Sequence, residues 1–199
     1  MNNLRYSRFG TGSSRLGSVA ALLALVLLVA AQGCGGDGNG GTTIVEYCGE
    51  FDPSQAPAPG RVAMRLGDDD SCGIVVIEIV ATDLDDVAGL AADLTYDPTF
   101  AFLTDVSTSG SVLTSDGAQV AAHVEESILG QVTVGIARTG VPGIDIQGTQ
   151  LVATLLFVVD TLASNSGQIT LTDQCLTGGG TPPDPLPGLV CSGGTIRVR

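Results

Sequence analysis

The chain has 199 residues, with 21 Asp and Glu against 8 Lys and Arg, and its formal net charge is -13. An acidic surface repels the phosphate backbone of nucleic acids, so DNA or RNA is a poor candidate partner. Aromatic residues make up 4% of the chain, which has no Trp, a single His and 28 Gly. This composition favours thin β-strands with many turns, and the lone His123 excludes mechanisms and zinc sites that need two imidazoles.

Residues 1–33 predict a secretory signal peptide. They contain three arginines and no acid, and they include an apolar run of 13 residues at positions 19–31. A membrane-spanning helix needs roughly 17–25 residues, whereas the apolar core of a signal peptide is about this short. The run ends in the sequence AQGC at residues 31–34, which resembles the lipobox of bacterial lipoproteins. An ordinary signal peptide with a cysteine nearby is the alternative.

Residues 34–60 predict a lipidated Cys34 followed by a flexible tether. The sequence GGDGNGG at residues 35–41 has no side chain to bury, and such segments behave as flexible linkers. The residue after Cys34 is Gly, not the Asp that retains proteobacterial lipoproteins at the inner membrane. We therefore expect an exported protein at the outer membrane or cell surface, which contacts the membrane only through its lipid.

The other four cysteines predict two disulfides, because exported chains meet oxidising conditions. Of the three pairings, we favour Cys48 with Cys72 and Cys175 with Cys191, since each closes a local loop rich in Gly and Pro. The chain has no Cys-x-x-Cys pair of the kind that holds zinc.

From residue 61 to 199 the sequence predicts one all-β domain. Short apolar or alternating runs are separated by turn residues, a pattern typical of an antiparallel β-sandwich. The runs predict nine strands, near residues 62–66, 74–80, 88–96, 100–106, 118–125, 131–138, 150–159, 167–172 and 194–198. Residues 151–159 are almost continuously apolar and predict a central strand buried on both sides.

Alternation assigns the faces of these strands. Four residues of the third predicted strand and three of the sixth are expected in the core: Leu90, Ala92, Leu94, Tyr96, Val132, Val134 and Ile136. We also expect Phe100 and Phe102 to face inward, because Ala101 separates them. Tyr96 closes its strand, Asp97 is expected to accept hydrogen bonds from the following amides, and Pro98 fixes the reversal.

Several blocks, in order, resemble the cohesin domain. The first is VAGLAADLTYDP at residues 87–98, with its Tyr-Asp-Pro turn, followed by GSVL at 110–113. The later blocks are GQVTVGIAR at 130–138 with Gly140 and Gly143, LVATLLFVV at 151–159 with Ala163, GQITL at 167–171, and GTIRV at 194–198. The resemblance covers roughly residues 60 to 199.

The resemblance implies a nine-stranded jelly-roll sandwich, a fold shared with several cellulose-binding modules. Cohesins bind dockerin modules through one sheet face. Carried onto this sequence, the candidate partner-binding residues are Gly89, Ala91, Asp93 and Thr95 on one strand, with Gln131, Thr133 and Arg138 on an adjoining strand.

Two acidic turns are weak candidates for a structural Ca²⁺ site, and no other cofactor is expected. Residues 68–70 and 83–86 flank one predicted strand, so Asp68, Asp70, Asp83 and Asp85 are expected to approach one end of the sandwich. Solvated acidic turns are the alternative.

Enzymatic activity is not expected. His123 has no Gly-x-Ser-x-Gly nucleophile nearby, and Glu125 and Glu126 lie at a strand end without a cleft-forming insertion.

Three functions remain from the sequence. The first is a lipid-anchored, cohesin-like binding module that docks another protein, of dockerin type, through a sheet face. The second is a carbohydrate-binding module of the same fold superfamily that attaches to polysaccharide, although sugar sites usually stack rings on exposed Trp or Tyr. The third is a structural surface protein or adhesin without a discrete site.

Overall fold

A computed structural model describes residues 48–68, 71–161, 165–172, 175–179, 186–187 and 189–199. Eleven strands make up this part of the chain: β1 (Gly49–Pro53), β2 (Arg61–Leu66), β3 (Ile74–Thr95), β4 (Ala101–Ser107), β5 (Gln119–Ile128), β6 (Gln131–Thr139), β7 (Ile144–Val159), β8 (Asn165–Leu171), β9 (Leu176–Gly178), β10 (Val190–Ser192) and β11 (Gly194–Val198). The all-β class is confirmed. Within the described residues, no helix has the length and apolarity needed to cross a membrane.

The strands form two sheets that share β3. In the first sheet, residues 74–82 of β3 lie between β2 and β7, while β10 flanks β2 in parallel and β4 flanks β7. In the second sheet, residues 89–95 lie beside β6 and its neighbour β5 on one side. On the other side lie β9 and β8, followed by β11 and β1. One strand of 22 residues therefore belongs to both layers of the sandwich.

β3 passes from one sheet to the other at a bend formed by residues 83–86, which we call the β3 bend. Asp83 and Asp86 have positive φ angles of 46° and 54°, and the pairing with β7 is irregular on both sides of Leu84. Asp83 Oδ1 accepts the amide of Gly148 at 2.6 Å, and Asp86 Oδ2 accepts the amide of Gly179 at 3.1 Å. These bonds support two residues in a conformation that non-glycine residues seldom adopt.

The inner faces of both sheets form one core. All seven residues that alternation assigned to it are buried, including Leu90, Leu94 and Val134, and this prediction is confirmed. Among the described residues, the core cluster extends from Phe51 to Val198. The described β-sandwich therefore has its own hydrophobic core.

Both favoured disulfides are formed, Cys48 with Cys72 and Cys175 with Cys191. Cys48 also exchanges backbone hydrogen bonds with Arg199, of 3.0 and 3.1 Å. The first bridge thus joins the beginning of the domain to the turn before β3, next to the end of the last strand.

Several sequence expectations need correction. The two strands predicted at 74–80 and 88–96 are the two halves of β3. β1 lies within the segment assigned to the tether and pairs with β11, so the domain begins before residue 61. β9 and β10 have three residues each, too few to show a period, and were not predicted.

Two apolar residues also lie on a different face from the one expected. Phe102 is 46% exposed, whereas Phe100 is buried. Phe100 belongs to the turn before β4, so strand alternation does not relate the two rings. Val158 of β7 is 40% exposed and pairs with Phe102, so this part of β7 is not buried on both sides.

Candidate functional site

Five of the seven candidate partner-binding residues lie together on the outer face of the second sheet. Ala91, Asp93 and Thr95 are exposed along β3, and Gln131 and Thr133 are exposed along β6. The register places Asp93 opposite Thr133 and Thr95 opposite Gln131. We call these five residues the β3–β6 surface. Asp93 is its single charged residue.

Short polar contacts hold this surface in place. Thr133 Oγ1 donates to Asp93 Oδ1 at 2.7 Å, across the β3–β6 pair. On the other side, the Asp93 amide donates to Thr172 Oγ1 at 3.1 Å, and the hydroxyls of Thr95 and Thr170 are hydrogen-bonded. The side chains are short and fixed to the sheet, so they lose little conformational entropy when a partner covers them.

A shallow depression of about 340 Å³ occupies the centre of the surface. Hydroxyl groups, one amide and one carboxylate line it beside Leu94 and Val132; the polar groups belong to Asp93, Thr95, Ser127, Gln131, Thr133 and Thr172. Thr170 of β8 and Thr172, the residue after it, were not among the partner-binding residues expected from the sequence. Alternation could have identified them, because they follow the same face as Gln168, opposite the buried Ile169 and Leu171. The depression can form hydrogen bonds to a partner and offers it no aromatic ring.

Gly89 does not belong to this surface, contrary to the sequence expectation. It is buried, and a Cβ atom added to it would lie 2.2 Å from the carbonyl oxygen of Ile136. On its other side β9 pairs through Thr177. Gly89 therefore permits close packing of strands and presents no contact to a partner.

Arg138 does not belong to the surface either. Its side chain is 1% exposed, because position 138 lies on the same face of β6 as the buried Ile136. The guanidinium donates to the carbonyl oxygens of Leu113 at 2.7 Å and Pro142 at 3.0 Å. It also binds both carboxylate oxygens of Asp116, at 2.5 and 3.2 Å, and these bonds lower the pKa of Asp116. Arg138 thus fastens the connection between β4 and β5 to the sheet.

The end of β3 is fastened to the turn between β5 and β6. Tyr96 is buried, its ring meets that of Phe157 edge to face with centroids 5.3 Å apart, and its hydroxyl donates to Glu126 Oε1 at 2.8 Å. The same carboxylate oxygen accepts the Gly130 amide at 2.9 Å. The Gly130 amide and then the Tyr96 hydroxyl lower the pKa of Glu126, while burial, followed by the bond to Glu126, raises the pKa of Tyr96.

The next residue confirms the expected turn. Asp97 Oδ1 accepts the Thr99 amide at 2.9 Å and the Thr99 hydroxyl at 2.6 Å. These two bonds lower the pKa of Asp97. Gly130 has a φ of 83° and lies against Tyr96 and Pro98, so a side chain at position 130 would collide with this corner.

Asp68 does not approach Asp83 and Asp85 as expected. The Gly67 amide donates to the carbonyl oxygen of Val76 at one end of the β2–β3 pair, so the next residue, Asp68, lies at that end. Asp83 lies seven residues further along β3, roughly 20 Å away at the rise of a strand. Asp83 and Asp85 are exposed at the β3 bend, and Asp70 lies outside the described residues. In the described part of the chain, no three His, Cys, Asp or Glu residues are placed to share a metal ion.

Comparison with known proteins gives structural neighbours only. No protein-family model and no curated protein matches the chain. A non-cellulosomal cohesin from the archaeon Archaeoglobus fulgidus is 21% identical, with a TM-score of 0.46 over 75% of this chain and 90% of that one. The second type II cohesin of the ScaA scaffoldin from Acetivibrio cellulolyticus is 14% identical, with a TM-score of 0.49 over 77% and 91% of the two chains. The sixth cohesin of scaffoldin B from the same organism, solved in complex with a dockerin, is 14% identical, with a TM-score of 0.46 over 76% and 97%.

Arg138→Ala is expected to lower the free energy of unfolding by about 2–3 kcal/mol, because it leaves two carbonyl groups and Asp116 without their donor. The free energy of unfolding of Arg138→Lys should lie between those of Arg138→Ala and wild type, since one ammonium group cannot reach all three acceptors. Urea unfolding of the three proteins measures the difference. Equal stability of the Ala variant and wild type would contradict the structural role.

Glu126→Gln is expected to destabilise the domain at neutral pH, because a carboxylate accepts from Tyr96 and Gly130 more strongly than an amide does. The pKa of Glu126 is lowered by folding, so its ionised form stabilises the folded state above the ordinary carboxyl range. That contribution is lost as the pH falls through the lowered pKa. Urea unfolding at pH 7 and pH 3 should show a difference between variant and wild type that shrinks at pH 3. A difference that stays constant or grows at pH 3 would contradict the stabilising role of the Glu126 carboxylate.

Proposed function

We propose that this chain is a non-catalytic, lipid-anchored binding module that docks another protein through the β3–β6 surface. The observation that carries the proposal is a flat group of exposed, short polar side chains on a sheet whose other face is the core. The partner class is the dockerin type, since the sequence blocks around this surface resemble cohesins.

The surface suits a protein partner because its shape is set before binding. The Asp93 carboxylate accepts the Thr133 hydroxyl of β6 at 2.7 Å, and the Asp93 amide donates to the Thr172 hydroxyl on the other side of β3 at 3.1 Å. Preorganised groups cost less entropy on association than mobile ones. The Asp93 carboxylate favours a basic or hydroxyl-bearing group on the partner.

The carbohydrate-binding alternative is less well supported. Sugar platforms stack rings on exposed aromatic side chains. Among the described residues, Tyr96 and the rings of Phe51, Phe100 and Phe157 are buried, and Phe102 is the exposed aromatic. Phe102 lies on the other sheet, away from the β3–β6 surface.

The proposal of a non-catalytic module rests on the surroundings of the candidate groups. The His123 side chain is 75% exposed, and its Nε2 lies 3.5 Å from Glu125 Oε2 on the same strand. A base in open solvent, next to a carboxylate on a flat sheet, does not form the enclosed site in which acid–base catalysis is effective.

The anchor is proposed from the sequence alone, because Cys34 lies outside the described residues. Expression of the full chain in a bacterium with labelled palmitate is expected to label wild type, and Cys34→Ser should lose the label. Labelling that persists in Cys34→Ser would contradict lipidation at this residue, whereas release of an unlabelled wild-type protein would favour an ordinary signal peptide.

Docking is tested by calorimetric titration of residues 42–199 with a panel of type I and type II dockerin modules. We expect at least one module to bind, and Thr133→Arg and Asp93→Arg to weaken it about tenfold or more, since both changes obstruct the centre of the surface. Phe102→Arg, on the outer face of the other sheet, is the matched control and should bind like wild type.

Two outcomes would contradict the docking proposal. One is a protein that binds no dockerin module and is retained on insoluble polysaccharide. The other is binding that Phe102→Arg abolishes and Thr133→Arg leaves unchanged, which would move the interface to the first sheet.

A further inference from the structure

We propose that two copies of this chain associate by antiparallel pairing of their β5 strands, with Val124 of one copy opposite Val124 of the other. The proposal concerns the free edge of the second sheet and is independent of the β3–β6 surface.

β5 has one unpaired edge in the described structure. It pairs with β6 along one side, and no described strand pairs with its other side. Such an edge presents a row of backbone donors and acceptors to another strand. Natural edge strands are commonly protected by charged side chains, Pro or β-bulges. In β5 the inward-facing Glu126 and the bulge between Glu126 and Ile128 protect only its last residues, and Gln119–Val124 contain no Lys, Pro, Asp or Glu.

β5 is also exposed on both faces over most of its length. Of its ten residues, only Val120 is partly covered, and Val124 is 44% exposed although it lies on the inward-facing side of the strand. Beneath Val124 a groove of about 210 Å³ opens between β5 and β4, lined in part by Leu103, Val106 and Val132. The last residue of β5, Ile128, and Leu129 in the turn after it are 62% and 61% exposed. Apolar side chains therefore surround an edge that still has hydrogen bonds to make.

The charges on β5 favour a second copy of the same strand. In a two-fold antiparallel pair, one residue lies opposite its own counterpart, and residues at equal distances on either side face each other. With Val124 at the centre, His123 of each copy lies opposite Glu125 of the other. An imidazole N–H of each His123 can then donate to the carboxylate of the facing Glu125. Complementary cross-strand pairs of this kind stabilise a sheet, and like charges directly opposite destabilise it.

Other registers are less favourable. Centring the pair on His123 places the two histidines opposite each other, and centring it on Glu125 places two carboxylates together. Centring it on Ala122 places His123 opposite Ala121 and Glu125 opposite Gln119, so neither the imidazole nor the carboxylate faces its complementary partner.

The register gives a specific cross-linking test on residues 42–199, which contain the whole core. Residues that face their own counterpart in an antiparallel pair have Cα atoms about 4.5–5.5 Å apart, within the span of a disulfide. Val124→Cys is expected to form a covalent dimer on air oxidation. Ala122→Cys, which would face Glu126 of the second copy, is the matched control and should remain uncrosslinked. Equal cross-linking of both variants, or none in Val124→Cys, would overturn the register.

Sedimentation equilibrium tests the association itself. Wild type is expected to shift from monomer to dimer with rising concentration, and His123→Glu should weaken the dimer about tenfold by placing like charges opposite each other. The exchange of both residues, His123→Glu with Glu125→His, restores the facing imidazole–carboxylate pairs and should restore the dimer. A protein that stays monomeric throughout, or a dimer that Phe102→Arg dissociates and His123→Glu does not, would overturn the proposal.

Discussion

The sandwich depends on the β3 bend, where one strand leaves the first sheet and enters the second. Two non-glycine residues have positive φ angles there, and their carboxylates compensate by accepting the backbone amides of Gly148 in β7 and of Gly179 just after β9. Gly143 and Gly179 lie so close to Asp86 that a side chain at either position would collide with it. Since β3 carries three of the five residues of the β3–β6 surface, the bend also sets where that surface lies relative to the core.

The surface is held at its margins by two polar clusters that the fold buries partly or completely. Tyr96 and Glu126 join the end of β3 to the β5–β6 turn, and Arg138 joins the connection before β5 to β6. Neither cluster contacts a partner in the proposed function. Both restrict the strands that present Asp93 and Thr133, and a binding surface of short side chains depends on such restriction because it has little ability to adapt.

The sequence predicts the fold class, the position of most strands and the two disulfides, because period-two alternation and turn residues are local signals. The same alternation places Arg138 with Val132, Val134 and Ile136 in the core, so its burial was predictable; its charge suggested the surface instead. The β3 bend could not be predicted, since the left-handed Asp83 and Asp86 depend on amides from Gly148 and Gly179, far away in the chain. The short strands β9 and β10 lack a period, and the free edge of β5 is a property of the assembled sheets.

The most direct test of the shared strand is native-state hydrogen exchange of residues 42–199 in increasing urea. If β3 joins both sheets through its bend, the hydrogen-bonded amides of residues 75–81 and 90–94 should exchange only through global unfolding, with the same free energy and the same dependence on urea. The amides of Gly148 and Gly179, which bind the bend carboxylates, should be protected as well. Two halves of β3 that open with different free energies, together with fast exchange at Gly148 and Gly179, would show that the sheets unfold separately and would contradict the account.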